Sequence, residues 1–266
     1  MTDEPAPHDL IADWAVDARR ILFITGAGLS ADSGLPTYRG VGGLYEDADT
    51  EDGVPIEVAL SGGMFRQAPA LTWKHIRRIE AACRGAGPND AHRVMAAFEK
   101  LDAEVWVLTQ NVDGLHTAAG SSQVIAIHGD VHHLDCTRCS WTQQVDDYAH
   151  LAAGVPTCPK CDAVIRPRVV LFDELLPPEA LEQLQFQLAH GFDLVLSVGT
   201  SSLFPYIAQP VALASYHGGK TVEINPGETP VTGLVDLRVP DGAAATMRRV
   251  AEALARTGRP LEIELG

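Results

Sequence analysis

The chain has 266 residues, with 35 acidic against 20 basic for a formal net charge of −15, and 46% of its residues are apolar. At about 150 residues per domain this is one to two domains with enough apolar side chains to bury a core, which excludes a disordered chain. The negative balance argues against a surface that binds nucleic acid or an anionic membrane by charge. With no basic-then-apolar leader and no window of 18 uncharged apolar residues, a soluble cytoplasmic protein is expected.

In chain order, the first ten residues read as an acidic, Pro-containing tail. Residues 20–25, RILFIT, form a short β-rich run and lead into Gly26-Ala27-Gly28-Leu29-Ser30-Ala31. That succession of strand, glycine turn and helix start matches G-x-G-x-x-G/A in its proper local context. Residues 41–85 are glycine-rich and then helical, with Cys83 in the helical run as a small buried apolar residue. Further buried-strand runs stand at 105–109, 124–127, 193–198 and 220–224, and helices at 90–101, 177–190, 203–217 and 243–256. Continuous apolar strands alternating with helices predict a parallel sheet covered on both faces, an open, doubly wound α/β (Rossmann-like) fold. Two stretches interrupt the pattern. The predicted organisation is therefore a discontinuous sheet domain (1–40, 86–131 and 168–266) and a smaller lobe, built from a helical insertion (41–85) and a cysteine-bearing module (132–167). Ligands of such sheets bind beyond the carboxyl ends of the strands, where strand order reverses.

Four of the five cysteines form two C-x-x-C knuckles, Cys136 with Cys139 and Cys158 with Cys161. The gap between them suits a four-thiolate zinc site, and four thiolates leave no open position, so one structural ion is expected. A disulfide pair fits a cytoplasmic protein poorly, and two matched knuckles fit a thioredoxin-like redox motif poorly.

The glycine turn alone is compatible with a cofactor or with an ordinary strand-to-helix connection. The acidic residue a dehydrogenase places about 20 positions on is not at a second strand end, since Glu46 and Asp47 sit in a glycine-rich loop. Gln110, Asn111 and Asp113 follow a buried strand and project from its carboxyl end, where amide and carboxylate groups can hydrogen-bond ribose hydroxyls and a carboxamide. Asn and Asp-Gly also favour turns. Arg39 is a cation in a glycine-flanked loop suited to a pyrophosphate, and His128 ends the run VIAIH at the mouth of the sheet, though nothing in its own surroundings separates it from the other histidines.

The stretch GAGLSADSGLPTYRG resembles the signature of the sirtuins, NAD-dependent protein-lysine deacylases, here of bacterial type. Sirtuin-like segments continue in that family's order: QNVDGLH (110–116), Ile127-His128-Gly129, the four cysteines, Val169 to Glu174, Gly199-Thr200-Ser201 and Ile224-Asn225-Pro226. The resemblance implies NAD contacts from Gly26, Ala27, Gly28, Ser30, Ser33, Gly34, Thr37, Tyr38, Arg39, Gln110, Gly199, Thr200, Ser201, Asn225 and Ala243. It assigns Asn111 and Asp113 to the nicotinamide pocket and the catalysis there, and His128 to the role of general base. It gives the substrate His128, Val169, Val170 and Phe172, the last three adding the peptide as a strand and lining the acyl-lysine tunnel. His116, His132 and His133 keep a structural or surface reading. Two departures from the family stand out: Tyr38 in place of a usual phenylalanine, and Asp173 in place of a usual glycine.

The chemistry so implied has the acyl oxygen of a modified lysine attack the anomeric carbon of the NAD ribose, expelling nicotinamide. His128 then deprotonates a ribose hydroxyl, and the products are free lysine and O-acyl-ADP-ribose, with NAD consumed as co-substrate. Deacetylation is the first expectation. Removal of acidic acyl groups is second, because Arg77 matches the arginine of desuccinylases while Lys74 replaces their tyrosine. Protein mono-ADP-ribosylation, NAD-dependent hydride transfer and a zinc-ribbon binding module are the alternatives from other classes. The expected partners are acyl-lysine-bearing proteins, metabolic enzymes such as acyl-CoA synthetases among them by family analogy, with no nucleic acid and no membrane.

Overall fold

The computed structural model describes residues 5–36 and 50–263. Thr37, Tyr38 and Arg39, together with Glu46 and Asp47, lie outside the described residues.

The expected N-terminal tail is helical from Pro7 on. α1 (Pro7–Asp17) starts on a proline, whose missing N–H costs nothing in a first turn, and sinks Ile11, Ala12 and Ala15 into the core. β1 (Arg20–Thr25) then runs into the single turn α2 (Ala27–Ser30), followed by a 3-10 turn at Ala31–Ser33. The helical insertion contains α3 (Ile56–Ala59), α4 (Gly62–Gln67) and α5 (Pro69–Cys83). α6 (Asp90–Ala97) opens on a reciprocal cap: the Asn89 side chain accepts from the His92 amide, and His92 Nδ1 accepts from the Asn89 amide. β2 (Glu104–Thr109), α7 (Leu115–Ala118) and β3 (Val124–Ala126) follow. The cysteine region is carried by β4 (Gly129–Cys136), β5 (Thr142–Gln144) and β6 (Ile165–Val169). The chain returns through α8 (Pro178–His190), β7 (Leu194–Val198), α9 (Pro205–Tyr216), β8 (Lys220–Ile224), β9 (Leu237–Val239) and α10 (Ala243–Arg256).

Six strands form one parallel sheet in the order β3-β2-β1-β7-β8-β9. From β1 the chain winds outward through β2 to β3, then crosses to β7 and winds the other way, so the switch point lies between β1 and β7. Alternate residues of the strands enter different cores. Ile21, Phe23, Val107 and Leu196 pack with α1, α6 and α10, whereas Leu22, Ile24, Leu108 and Val195 pack with α8 and α9. Burial on both faces is why these strands read as unbroken apolar runs.

The three remaining strands form an antiparallel sheet, β5-β4-β6. Its core is shared with the helical insertion: Trp73 of α5 donates through Nε1 to the Ile165 carbonyl at 3.0 Å and meets Tyr148 edge-on at 5.7 Å. The described parts of both insertions thus share one core, which β4 and β6 join to the parallel sheet. Among the described residues no helix is long and apolar enough to cross a membrane.

Candidate active site

At the switch point two loops interlock. The Gly28 amide, after β1, donates to the Gly199 carbonyl, after β7, at 2.8 Å. A Cβ on Gly28 would stand 2.8 Å from that oxygen, and one on Gly199, where φ is +59°, would stand 2.3 Å from the Leu29 nitrogen. The glycines of this turn are therefore required by chain-on-chain contact before any ligand is considered. Gly26 closes against Thr200 in the same way.

Asn111 spends both Nδ2 hydrogens inward, on the Gly26 carbonyl and on Ser30 Oγ, each at 3.0 Å. Ser30 passes its own hydrogen to Asp113 Oδ2 at 2.7 Å, and Asp113 Oδ1 accepts from the Leu115 amide. Burial pushes the Asp113 carboxyl upward, against the lowering effect of these two bonds. The three side chains border a cavity of about 30 Å³ with Ala27 and, from α5, Ile79 and Cys83. Burial, reinforced by Asp113 and Glu80, pushes the Cys83 thiol up to about 12, which keeps it neutral and unreactive in that wall.

Gln110 donates to Thr200 Oγ1 at 2.6 Å, and Asn225 donates to the Thr200 carbonyl at 2.8 Å, so both converge on the loop after β7. Ser201 is exposed beside them. Ser33 is held by the Asn89 amide group at 3.0 Å, and Gly34 takes a left-handed φ of +81° to end the turn. Ala243 is buried at the start of α10, whose Ala244 amide is bound by the Asp32 carboxylate at 3.0 Å.

His128 does not end a strand as the run VIAIH suggested. β3 stops at Ala126, and Ile127-His128 form a turn that Gly129, at φ +84°, converts into β4. A Cβ on Gly129 would meet the Arg168 carbonyl at 1.9 Å, so only glycine permits this turn against β6. The imidazole lies between the Gln110 carbonyl, 3.1 Å from Nδ1, and the Tyr206 hydroxyl, 2.7 Å from Nε2. Burial lowers its pKa, and the bond to the Gln110 carbonyl opposes that shift. Val169 pairs with Gly129, the Val170 amide donates to the His128 carbonyl at 2.9 Å, and Phe172 is bound on both backbone groups by the strip at Leu60–Gly62. The Phe172 side chain remains 40% exposed. Asp173 adopts φ +66°, the left-handed conformation expected of the glycine it replaces, and its carboxylate accepts from the Gly62 and Gly63 amides.

Arg77 is engaged elsewhere. Its guanidinium donates to the Ala152 and Gly154 carbonyls and lies over the Trp73 ring, while Lys74 is paired with Glu51 and Asp52. Cys136, Cys139, Cys158 and Cys161 place their sulfurs within 4.8 Å of one another as free thiols. Tetrahedral zinc with bonds of about 2.3 Å would space its sulfurs by about 3.8 Å, and several pairs here stand at 3.5–3.6 Å. The donor set and its spacing fit that ion.

Residues 26–204, well over half of the chain, match the Sir2 family. The chain belongs to the Sir2 family. Among its relatives, the "NAD-dependent protein deacylase 2" of Pseudomonas syringae pv. tomato is 52% identical over 86% of this chain and 93% of that protein. A solved Sir2 homologue in complex with NAD superposes with a TM-score of 0.83 at 32% identity, covering 94% of each chain. A mutant Sir2 homologue in complex with 2′-O-acetyl-ADP-ribose gives a TM-score of 0.83 at 31% identity, covering 97% of this chain and 99% of the other. Within this Sir2 fold, sequence reasoning missed Phe204, Tyr206 and Asp32. The signal for the first two was a pair of aromatics three and five residues after Gly199-Thr200-Ser201, beyond the carboxyl end of a central strand.

Proposed function

We propose that the chain transfers an acetyl group from a modified protein lysine to ADP-ribose, releasing nicotinamide, with His128 as general base. It is an NAD-dependent protein deacylase; the acyl preference and the residue roles are the proposal. The observation that carries it is an imidazole with a defined acceptor nitrogen, on the same strand edge as the Asn111–Ser30–Asp113 set. NAD supplies the ribose carbon that takes the acyl oxygen and the nicotinamide that leaves. With both Nδ2 hydrogens committed, Asn111 has Oδ1 to receive a carboxamide N–H, and Asp113 backs it through Ser30. The Gln110 carbonyl can only accept, so Nδ1 of His128 keeps its proton and Nε2 takes one from a ribose hydroxyl. The lowered pKa keeps that nitrogen free of a proton at neutral pH. Gln110, Thr200 and Asn225 are placed to hold ribose hydroxyls, and Val169, Val170 and Phe172 to receive the peptide as an added strand.

Acetyl is preferred over succinyl or malonyl because the three cations of α5 are already engaged, Lys74 and Arg78 by carboxylates and Arg77 by carbonyls. Acyl-lysine metabolic enzymes such as acyl-CoA synthetases are the proposed targets, in the cytoplasm, where the four thiols would stay reduced. The test is nicotinamide release from NAD with acetyl, propionyl, succinyl and long-chain acyl-lysine peptides. Acetyl peptide should turn over fastest, and His128→Ala should lower the rate by ~100-fold or more with zinc still bound. Full activity in that variant, or no release with any peptide, would overturn the reading.

A further inference from the structure

Tyr206 belongs to the first turn of α9, yet its hydroxyl lies 2.7 Å from His128 Nε2. Donor and acceptor are settled by the other side of the ring. Because Nδ1 must donate to the Gln110 carbonyl, Nε2 of the neutral imidazole holds the lone pair and the phenol donates to it. The phenol is itself fixed: Phe204 stacks on its ring at 5.4 Å and 11°, and also meets the imidazole edge-on at 5.9 Å. The groups packed on His128 are the Gln110 carbonyl after β2, the Val170 amide after β6, and Phe204 and Tyr206 at α9. Among the described residues, Tyr206 is the titratable group in contact with the ring.

The hydroxyl thus occupies the acceptor that a general base must offer. We propose that Tyr206 is a positioning residue for His128: it holds the imidazole in the neutral Nδ1–H tautomer, then gives up Nε2 to the incoming ribose hydroxyl. This rests on the reading of His128 as the base. The exchange balances without a further proton carrier, since one O–H donor replaces another and the ribose proton then moves to Nε2. The phenol keeps its own proton, because burial pushes its pKa up to about 12.

Tyr206→Phe retains the ring and its stacking on Phe204 and removes only the donor. Two measurements on the zinc-loaded enzyme decide: the pH profile of kcat/KM for deacetylation, and the NMR titration of ¹⁵N-labelled His128 without ligands. Losing a bond that stabilises the neutral imidazole should raise its pKa, moving both the titration and the acid limb up by ~0.5–1 pH unit. Superimposable profiles, or a shifted titration without a shifted limb, would overturn the proposal. Zinc content and a thermal melt establish that the variant is folded. His128→Ala separates the two claims: activity there defeats the base, whereas its loss beside an unmoved Tyr206→Phe limb defeats only the positioning role.

Discussion

The switch-point edge and the zinc lobe are held in opposite ways. At the edge, the Gly28–Gly199 interlock and the buried Asn111, Ser30 and Thr200 form a hydrogen-bonded surface seated on two apolar cores. In the lobe, a third core joins α5 to a three-stranded sheet whose β5 is wholly exposed, with four sulfurs gathered at its end. The edge closes on hydrogen bonds between protein groups, whereas the lobe, beside its own apolar core, gathers four sulfurs that a metal would tie together. The two meet where Gly129 pairs with Val169, one residue from His128. Under the proposed residue roles, cofactor geometry belongs to the sheet edge and peptide geometry to the region the metal would support.

Removing the metal should break that division most visibly. Cys158 is fully buried, so Cys158→Ser should abolish zinc content and lower deacylation by at least ~100-fold by releasing β4 and β6. NAD affinity, measured by calorimetry, should change by less than ~10-fold, because the hydrogen bonds of the edge involve none of the four clustered sulfurs. Parallel loss of NAD binding and zinc would show that the regions are not separable.

The same contrast governed what could be read from sequence. Five of the six parallel strands were legible because burial on both faces leaves continuous apolar runs, and the zinc set because thiolate spacing is a metal constraint. β9 was not: three residues with a central arginine carry no period. The first turn of α1 looked like a tail because Pro7–Leu10 hold one large apolar residue, and the apolar side chains that seat the helix, Ile11, Ala12 and Ala15, come only after it. At the site, Asn111 and Asp113 were visible through their motif, but the partner of His128 was not. Tyr206 lies 78 residues away, and only the adjacency of α9 to the β3–β4 turn brings it there. Arg77 carried the right charge at the right spacing, yet a helix presents neighbouring residues to different surroundings, and this one is turned to the 152–154 loop.

The edge can be probed separately through a buried pair beneath it. His116 Nε2 lies 2.9 Å from Thr25 Oγ1; Thr25 donates to Thr109 Oγ1, which also accepts the Asn111 amide. His92 meets His116 at 4.9 Å between ring centres. Burial lowers the two pKa values to about 4 and about 3. An unfolded chain therefore binds protons that the folded one refuses, and stability falls as pH drops below about 6.5 towards those values. Each histidine should cost roughly 2 kcal/mol by pH 5, read from urea midpoints at pH 7 and pH 5. His92→Gln should remove roughly half of that slope. Zinc content measured at pH 5 separates this effect from thiolate protonation in the lobe, and a flat stability profile with zinc retained would refute it.

The smallest effect is expected at the seam. Asp173→Gly restores the residue usual in the resembled family at φ +66° and relieves a backbone conformation that costs a non-glycine residue about 1–2 kcal/mol. It also removes the two bonds to the Gly62 and Gly63 amides, a cap worth roughly 0.5–2 kcal/mol. The terms nearly cancel, so stability should move by less than ~1 kcal/mol in a urea melt. Phe172 would stay bound to Leu60 and Gly62 through its backbone, but the loop that follows it would lose its tie to α4. KM for the acetyl peptide should then rise by ~2- to 5-fold with KM for NAD unchanged, since the carboxylate serves the peptide side of the seam alone. An equal change in both constants would mean that the lobe shapes the cofactor edge as well.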